Sequence, residues 1–192
     1  MGKERLAAFS DGVIAIIITI MVLELKVPHG ADWVALATLA PSFMAYVLSF
    51  IYVAIYWNNH HHLLQTVTHV DGLILWANAD LLFWLSLIPV ATHWLGENPL
   101  APLPTAVYGV SLLMPALAYL LLQLAILHRH GAHSVLARAL GSDLKGKISP
   151  VLYLTAIALA FVLPWVSIAL YAAVAVVWLV PDRRIEKVLP KN

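Results

Sequence analysis

Four histidines crowd one short stretch: His60, His61, His62 and His69. Each offers a ring nitrogen to a metal ion or to a proton near neutrality. Consecutive helical positions point about 100° apart, so the first three cannot converge on one ion. His62 and His69 share a face at i and i+7, but no carboxylate completes a pattern such as HExxH. We read the group as an interfacial polar collar with one histidine packed inside. Asp80, with Asn78 beside it, falls within a long apolar run. A charge there costs at least about 2.5–3.5 kcal/mol unless it is paired or hydrated. It is either a proton or cation site, or a structural acid bonded to a hydroxyl, indole or amide of another segment. A third polar group, Arg5, Ser10 and Asp11, opens the apolar stretch RLAAFSDGVIAIIITIMVLEL.

The elements that must position these groups are apolar helices. Of 192 residues, 62% are hydrophobic, against 11 Lys and Arg and 10 Asp and Glu. Apolar runs recur along the whole length, which makes this a polytopic membrane protein. The net charge of +1 argues against nucleic-acid binding. With no cysteine there are no disulfides, iron–sulfur clusters or thiolate metal sites. Asp11 inside the first run, and the lack of a small-x-small cleavage site, argue for a retained first span over a cleaved signal peptide.

Six spans are expected, at residues 9–25, 33–57, 72–95, 105–128, 148–163 and 166–180, within one unit covering 1–181. The stretch NNHHHLLQTVTHVD reads as a polar hinge after the second span. GENPLAPLP reads as a loop before the fourth, and Pro89 and Pro115 as kinks. Residues 148–180 are long for one span and short for two, with Pro164 supplying a turn. Charge favours two. With a cytoplasmic N-terminus, six spans put Lys3, Arg5, Arg129, Arg138, Lys145, Lys147 and the basic tail at 182–192 on the cytoplasmic side, leaving only Lys26 outside. Trp33, Trp94 and Trp165 read as interface anchors. Trp57, Trp76 and Trp84 lie deeper and need acceptors, for which Asp11, Asn58 and Asp80 are candidates.

On the first helix, Ile16, Ile20 and Leu23 form a stripe flanked by Gly12 and Thr19. Ser10 and Asp11 point well away from it. The residues alone leave open whether that stripe meets lipid, protein or a pore axis.

The run R-x-x-x-F-S-D at Arg5, Phe9, Ser10 and Asp11, followed by A-I-x-I-T at Ala15 to Thr19, resembles the signature of the transmembrane protein 175 family. These are lysosomal and prokaryotic potassium-permeable channels without a TVGYG filter. The resemblance implies an all-α membrane protein of one six-helix repeat, assembled as a homotetramer in the plasma membrane with the first helix lining a central pore. It implies that Ile16 forms the constriction, Ile20 and Leu23 further apolar rings, and Thr19 a contribution to potassium preference. It implies a buried network of Arg5, Phe9, Ser10 and Asp11 with Trp57, Asn58, His60 and Asn78. Such rings gate by dewetting, and Glu24 and Asp32 would concentrate cations at the outer mouth. The expected partners are potassium ions, lipid and further copies of the chain, with no cofactor and no catalysis. Two other classes compete: a proton-coupled transporter relaying through Asp80 and the histidines, and a metal-dependent membrane enzyme built on His60 to His69.

Overall fold

Residues 2–131, 134, 136, 137 and 144–179 are described by a computed structural model. Eight helices are described: α1 (Lys3–Leu23), α2 (Trp33–Thr38), α3 (Ala40–Gln65), α4 (Gly72–Ser86), α5 (Ile88–Glu97), α6 (Pro102–His130), α7 (Leu144–Leu159) and α8 (Pro164–Leu179). Among the described residues, four stretches are long and apolar enough to cross a bilayer: Lys3–Leu23, Ala40–Gln65, Gly72–Glu97 and Pro102–His130. α7 and α8 have 16 residues each and turn back on one another ahead of Pro164, close to where the sequence places the break. The basic tail at 182–192 and Arg138 lie outside the described residues.

Three expectations about boundaries are corrected. The polar segment after Trp57 is not a hinge, because α3 continues through Gln65. His60, Leu63 and Leu64 are buried on one side of it, so packing holds a helix that composition alone would break. Asp71 then starts α4 as a side-chain cap, accepting from Ile74 N–H at 3.0 Å. The proline-rich loop is also shorter than expected, since α6 begins at Pro102. Prolines in a first helical turn sacrifice no internal hydrogen bond. Further on, α6 runs unbroken through Pro115. Finally, α1 starts at Lys3 and so takes in Arg5. Pro89 acts as expected: with no N–H for the Leu85 carbonyl, it divides the third apolar stretch into α4 and α5.

α1 packs on α3, α4 and α5, while α6 is covered by α4, α5, α7 and α8. Buried hydroxyls stitch these layers. Thr92 donates to Ser49 at 2.7 Å, Ser49 and Tyr108 share a bond of 2.9 Å, and Tyr52 donates to the Tyr171 carbonyl at 2.6 Å. Gly109 lets α6 come so close to α8 that a Cβ there would sit 2.0 Å from the Tyr171 hydroxyl.

Candidate functional site: the first helix and its clamp

α1 has two faces of opposite character. Leu6, Ser10, Ile14, Ile17 and Met21 are buried, spaced by three and four residues as one helical face requires. Ile16, Ile20 and Leu23 are 58%, 42% and 81% exposed, and Gly12 and Thr19 are exposed beside them. The Thr19 hydroxyl donates to the Ile16 carbonyl at 2.9 Å. Its proton is thereby committed to its own helix, and its lone pairs face outward.

The buried face is held by a directional chain of hydrogen bonds. His60 Nε2–H donates to Asn78 Oδ1 at 2.7 Å, Asn78 Nδ2 donates to Ser10 Oγ at 3.0 Å, and Ser10 donates to the Leu6 carbonyl at 2.9 Å. The three side chains are almost wholly buried, and the chain of donors sets both the amide orientation and the imidazole tautomer. Beside it, Trp57 Nε1–H donates to Asp11 Oδ1 at 3.0 Å. Two helices thus grip α1, α3 through His60 and Trp57 and α4 through Asn78.

Arg5 and Phe9 do not join this network, which corrects that expectation. Both are exposed, and Arg5 has no hydrogen-bond or ion-pair partner among the described residues. The reason is helical phase: Arg5 lies about 140° from Ser10 but within about 20° of Ile16, so it belongs to the exposed stripe. The Asn58 side chain stays out as well; its backbone carbonyl accepts from His62 Nδ1 at 2.8 Å. The remaining histidines disperse, His61 accepting from Gln65 at 2.9 Å and His69 bonding Thr68 at 3.1 Å. Among the described residues no group of three or more His, Asp or Glu is placed to hold a metal ion.

Asp80 is half-buried on α4 and has no partner among the described residues. It shares its face with the exposed Leu73, Trp76 and Phe83. Beyond the C-terminal end of α1, Asp32 is occupied as the α2 cap, accepting from Ala35 N–H at 2.8 Å. Sequence reading missed a charged cluster here. Lys26 pairs with Glu97, and His93 lies between Glu97 at 3.5 Å and Glu24 at 3.7 Å. The i, i+4 spacing of His93 and Glu97 was its only visible signal.

The family model described as endosomal/lysosomal potassium channel TMEM175 matches residues 5–89. A potassium channel of Chryseobacterium sp. (strain P1-3) is 55% identical over 192 residues, the whole of both chains. The chain belongs to the TMEM175 family. The crystal structure of a lysosomal potassium-selective channel TMEM175 homolog from Chamaesiphon minutus superimposes with a TM-score of 0.81 at 31% identity, covering 94% of this chain and 97% of that one. The endosomal/lysosomal proton channel TMEM175 of Gallus gallus is 33% identical over 109 residues, 50% of this chain and 22% of that protein. The segment matched by the TMEM175 model contains both faces of α1 together with Trp57, His60 and Asn78.

Proposed function

We propose that this chain is a passive potassium channel whose ions pass along the exposed stripe of α1. The observation that carries this reading is the contrast within one helix. Its hydrogen-bonded face is anchored to α3 and α4, while Ile16, Ile20 and Leu23 are held outward and exposed. Copies arranged around an axis turn these residues into stacked apolar rings that narrow and dewet a pore. The outward lone pairs of Thr19, one turn beyond Ile16, offer a passing cation an oxygen ligand.

A homotetramer in the plasma membrane is the assembly we infer, by likeness to the family. Its support within the chain is the face carrying Asp80. A carboxyl among exposed Leu73, Trp76 and Phe83 is costly against lipid and calls for a neighbouring copy. α7 and α8 complete six crossings in this reading, with both termini cytoplasmic. At 1.5 Å per residue each is only about 24 Å long against a hydrocarbon core of about 30 Å. No catalysis and no resident cofactor enter the reading. A proton-coupled transporter relaying through Asp80 and the histidines has less support, because Asp80 bonds none of them and His60 is engaged by Asn78.

The test is flux from liposomes under potassium and sodium gradients, for wild type and Ile16→Asn. Wild-type protein is expected to pass potassium passively in preference to sodium, and Ile16→Asn to pass both with less preference. Absence of potassium flux under any gradient sinks the channel reading. An Ile16→Asn channel indistinguishable from wild type removes the ring at Ile16.

A further inference from the structure

α6 ends in His128, Arg129 and His130, and Gly131, at a φ of 79°, follows as its cap. The last two of these side chains reach across to the link between α3 and α4. His130 Nε2 accepts from the backbone N–H of Thr68 at 3.1 Å and of His69 at 3.4 Å, while His130 Nδ1–H donates to the Ile126 carbonyl at 3.0 Å. Arg129 Nε lies 3.5 Å from Asp71 Oδ2, and the other oxygen of Asp71 caps α4. The link joins the two helices that grip α1, α3 through His60 and Trp57 and α4 through Asn78.

These contacts admit one protonation state of His130. Nδ1 carries the proton and Nε2 keeps its lone pair, so the ring is neutral. A second proton would sit on Nε2 and point at two N–H groups, ending both bonds. Histidine takes up that proton near neutrality. Among the described residues no carboxylate pairs with His130 to reward the charge, because Asp71 is engaged by Arg129. The other ionisable groups near this junction are His128, which is exposed, His62 on the Asn58 carbonyl, His69 on the Thr68 hydroxyl, and Lys145 on the Val177 carbonyl. The C-terminal end of α6 favours a cation, but by less than two backbone hydrogen bonds are worth. Thr68 and His69 are exposed, so water receives their amides once His130 lets go. The contact therefore holds the link at high pH and is lost as pH falls.

We propose that His130 is a pH-operated latch on the α3–α4 link, shut by the neutral imidazole and opened by its protonation. The proposal rests on the contacts of α6 with this link and not on ion conduction. The experiment follows hydrogen–deuterium exchange of the full chain in nanodiscs between about pH 8 and about pH 5. Protection of the Thr68 and His69 amides is taken relative to their intrinsic exchange at each pH. It is expected to fall roughly fivefold on acidification, the worth of one hydrogen bond. His130→Gln supplies an amide oxygen that accepts without titrating, and is expected to retain protection throughout the range. His130→Leu is expected to lack it throughout. His69→Gln and His128→Gln should each keep the wild-type response. Should a His130 variant fail to fold, the wild-type titration and these two controls still decide the matter. Wild-type protection that does not change with pH overturns the proposal. So does a response that survives in His130→Gln, or one that vanishes in His69→Gln or His128→Gln.

Discussion

Asn78 and Ser10 lie 68 residues apart in the chain and meet through an amide-to-hydroxyl hydrogen bond of 3.0 Å. That contact joins the buried face of α1 to α4, and His60 completes it from α3. Replacing Asn78 by Leu leaves the His60 Nε2–H without its acceptor in an apolar interior. An orphaned buried polar group costs about 1–3 kcal/mol, so Asn78→Leu lowers the unfolding midpoint in detergent, followed by tryptophan fluorescence. A midpoint equal to wild type would show that the chain of donors contributes nothing.

Asp11 and Trp57 form a separate clasp, with Trp57 46% exposed. Their coupling in a double-mutant cycle of Asp11→Ala and Trp57→Phe is expected to be about 1 kcal/mol, the size of an ordinary hydrogen bond. Asp11→Asn keeps an acceptor oxygen and should stay close to wild type. Additive single mutants would mean that the two side chains do not cooperate.

Ile16 and Ile17 are neighbours in sequence and opposites in the fold, 58% and 3% exposed. Asn at Ile17 buries an amide against α3, α4 or α5 and should reduce the yield of folded protein, as measured by size-exclusion chromatography. Asn at Ile16 is expected to leave that elution profile unchanged while altering flux. If the two variants behave alike, the two-faced description of α1 fails.

Gly109 supplies the fourth expectation. An added methyl would meet the Tyr171 hydroxyl at 2.0 Å and Ile157 Cγ1 at 2.6 Å, displacing a tyrosine that donates to the Thr105 carbonyl at 3.2 Å. Overpacking of this kind costs about 1–3 kcal/mol. Gly109→Ala should therefore lower the thermal midpoint, and Tyr171→Phe in the same chain should recover part of the loss by removing the clashing oxygen. No recovery would place the strain at Ile157 or at the ring itself, whose Cζ lies 2.7 Å from the added methyl.

Much of α1 is legible in the sequence. A period of about 100° per residue separates Ser10 from Ile16 on paper, and the same arithmetic applied to Arg5 would have moved it onto the stripe. The family motif places Arg5 in the network beside Ser10; the helix places it elsewhere. Asn78 and His60 were visible as polar residues needing partners, but their meeting depends on the crossing of α3 and α4, which no local pattern encodes. The segment after Trp57 misled for a related reason: its polarity is local, whereas the burial of His60, Leu63 and Leu64 that keeps it helical is tertiary.

Ser10 and Ile16 stand six positions apart on an unbroken helix. That interval acts as a phase constant between anchor and stripe. Inserting one residue turns the stripe about 100° off its axis, while inserting seven returns it to within about 20° but lifts it by about 10.5 Å. No short insertion or deletion preserves both bearing and depth. Substitutions in this interval are therefore negotiable, and changes in its length are not.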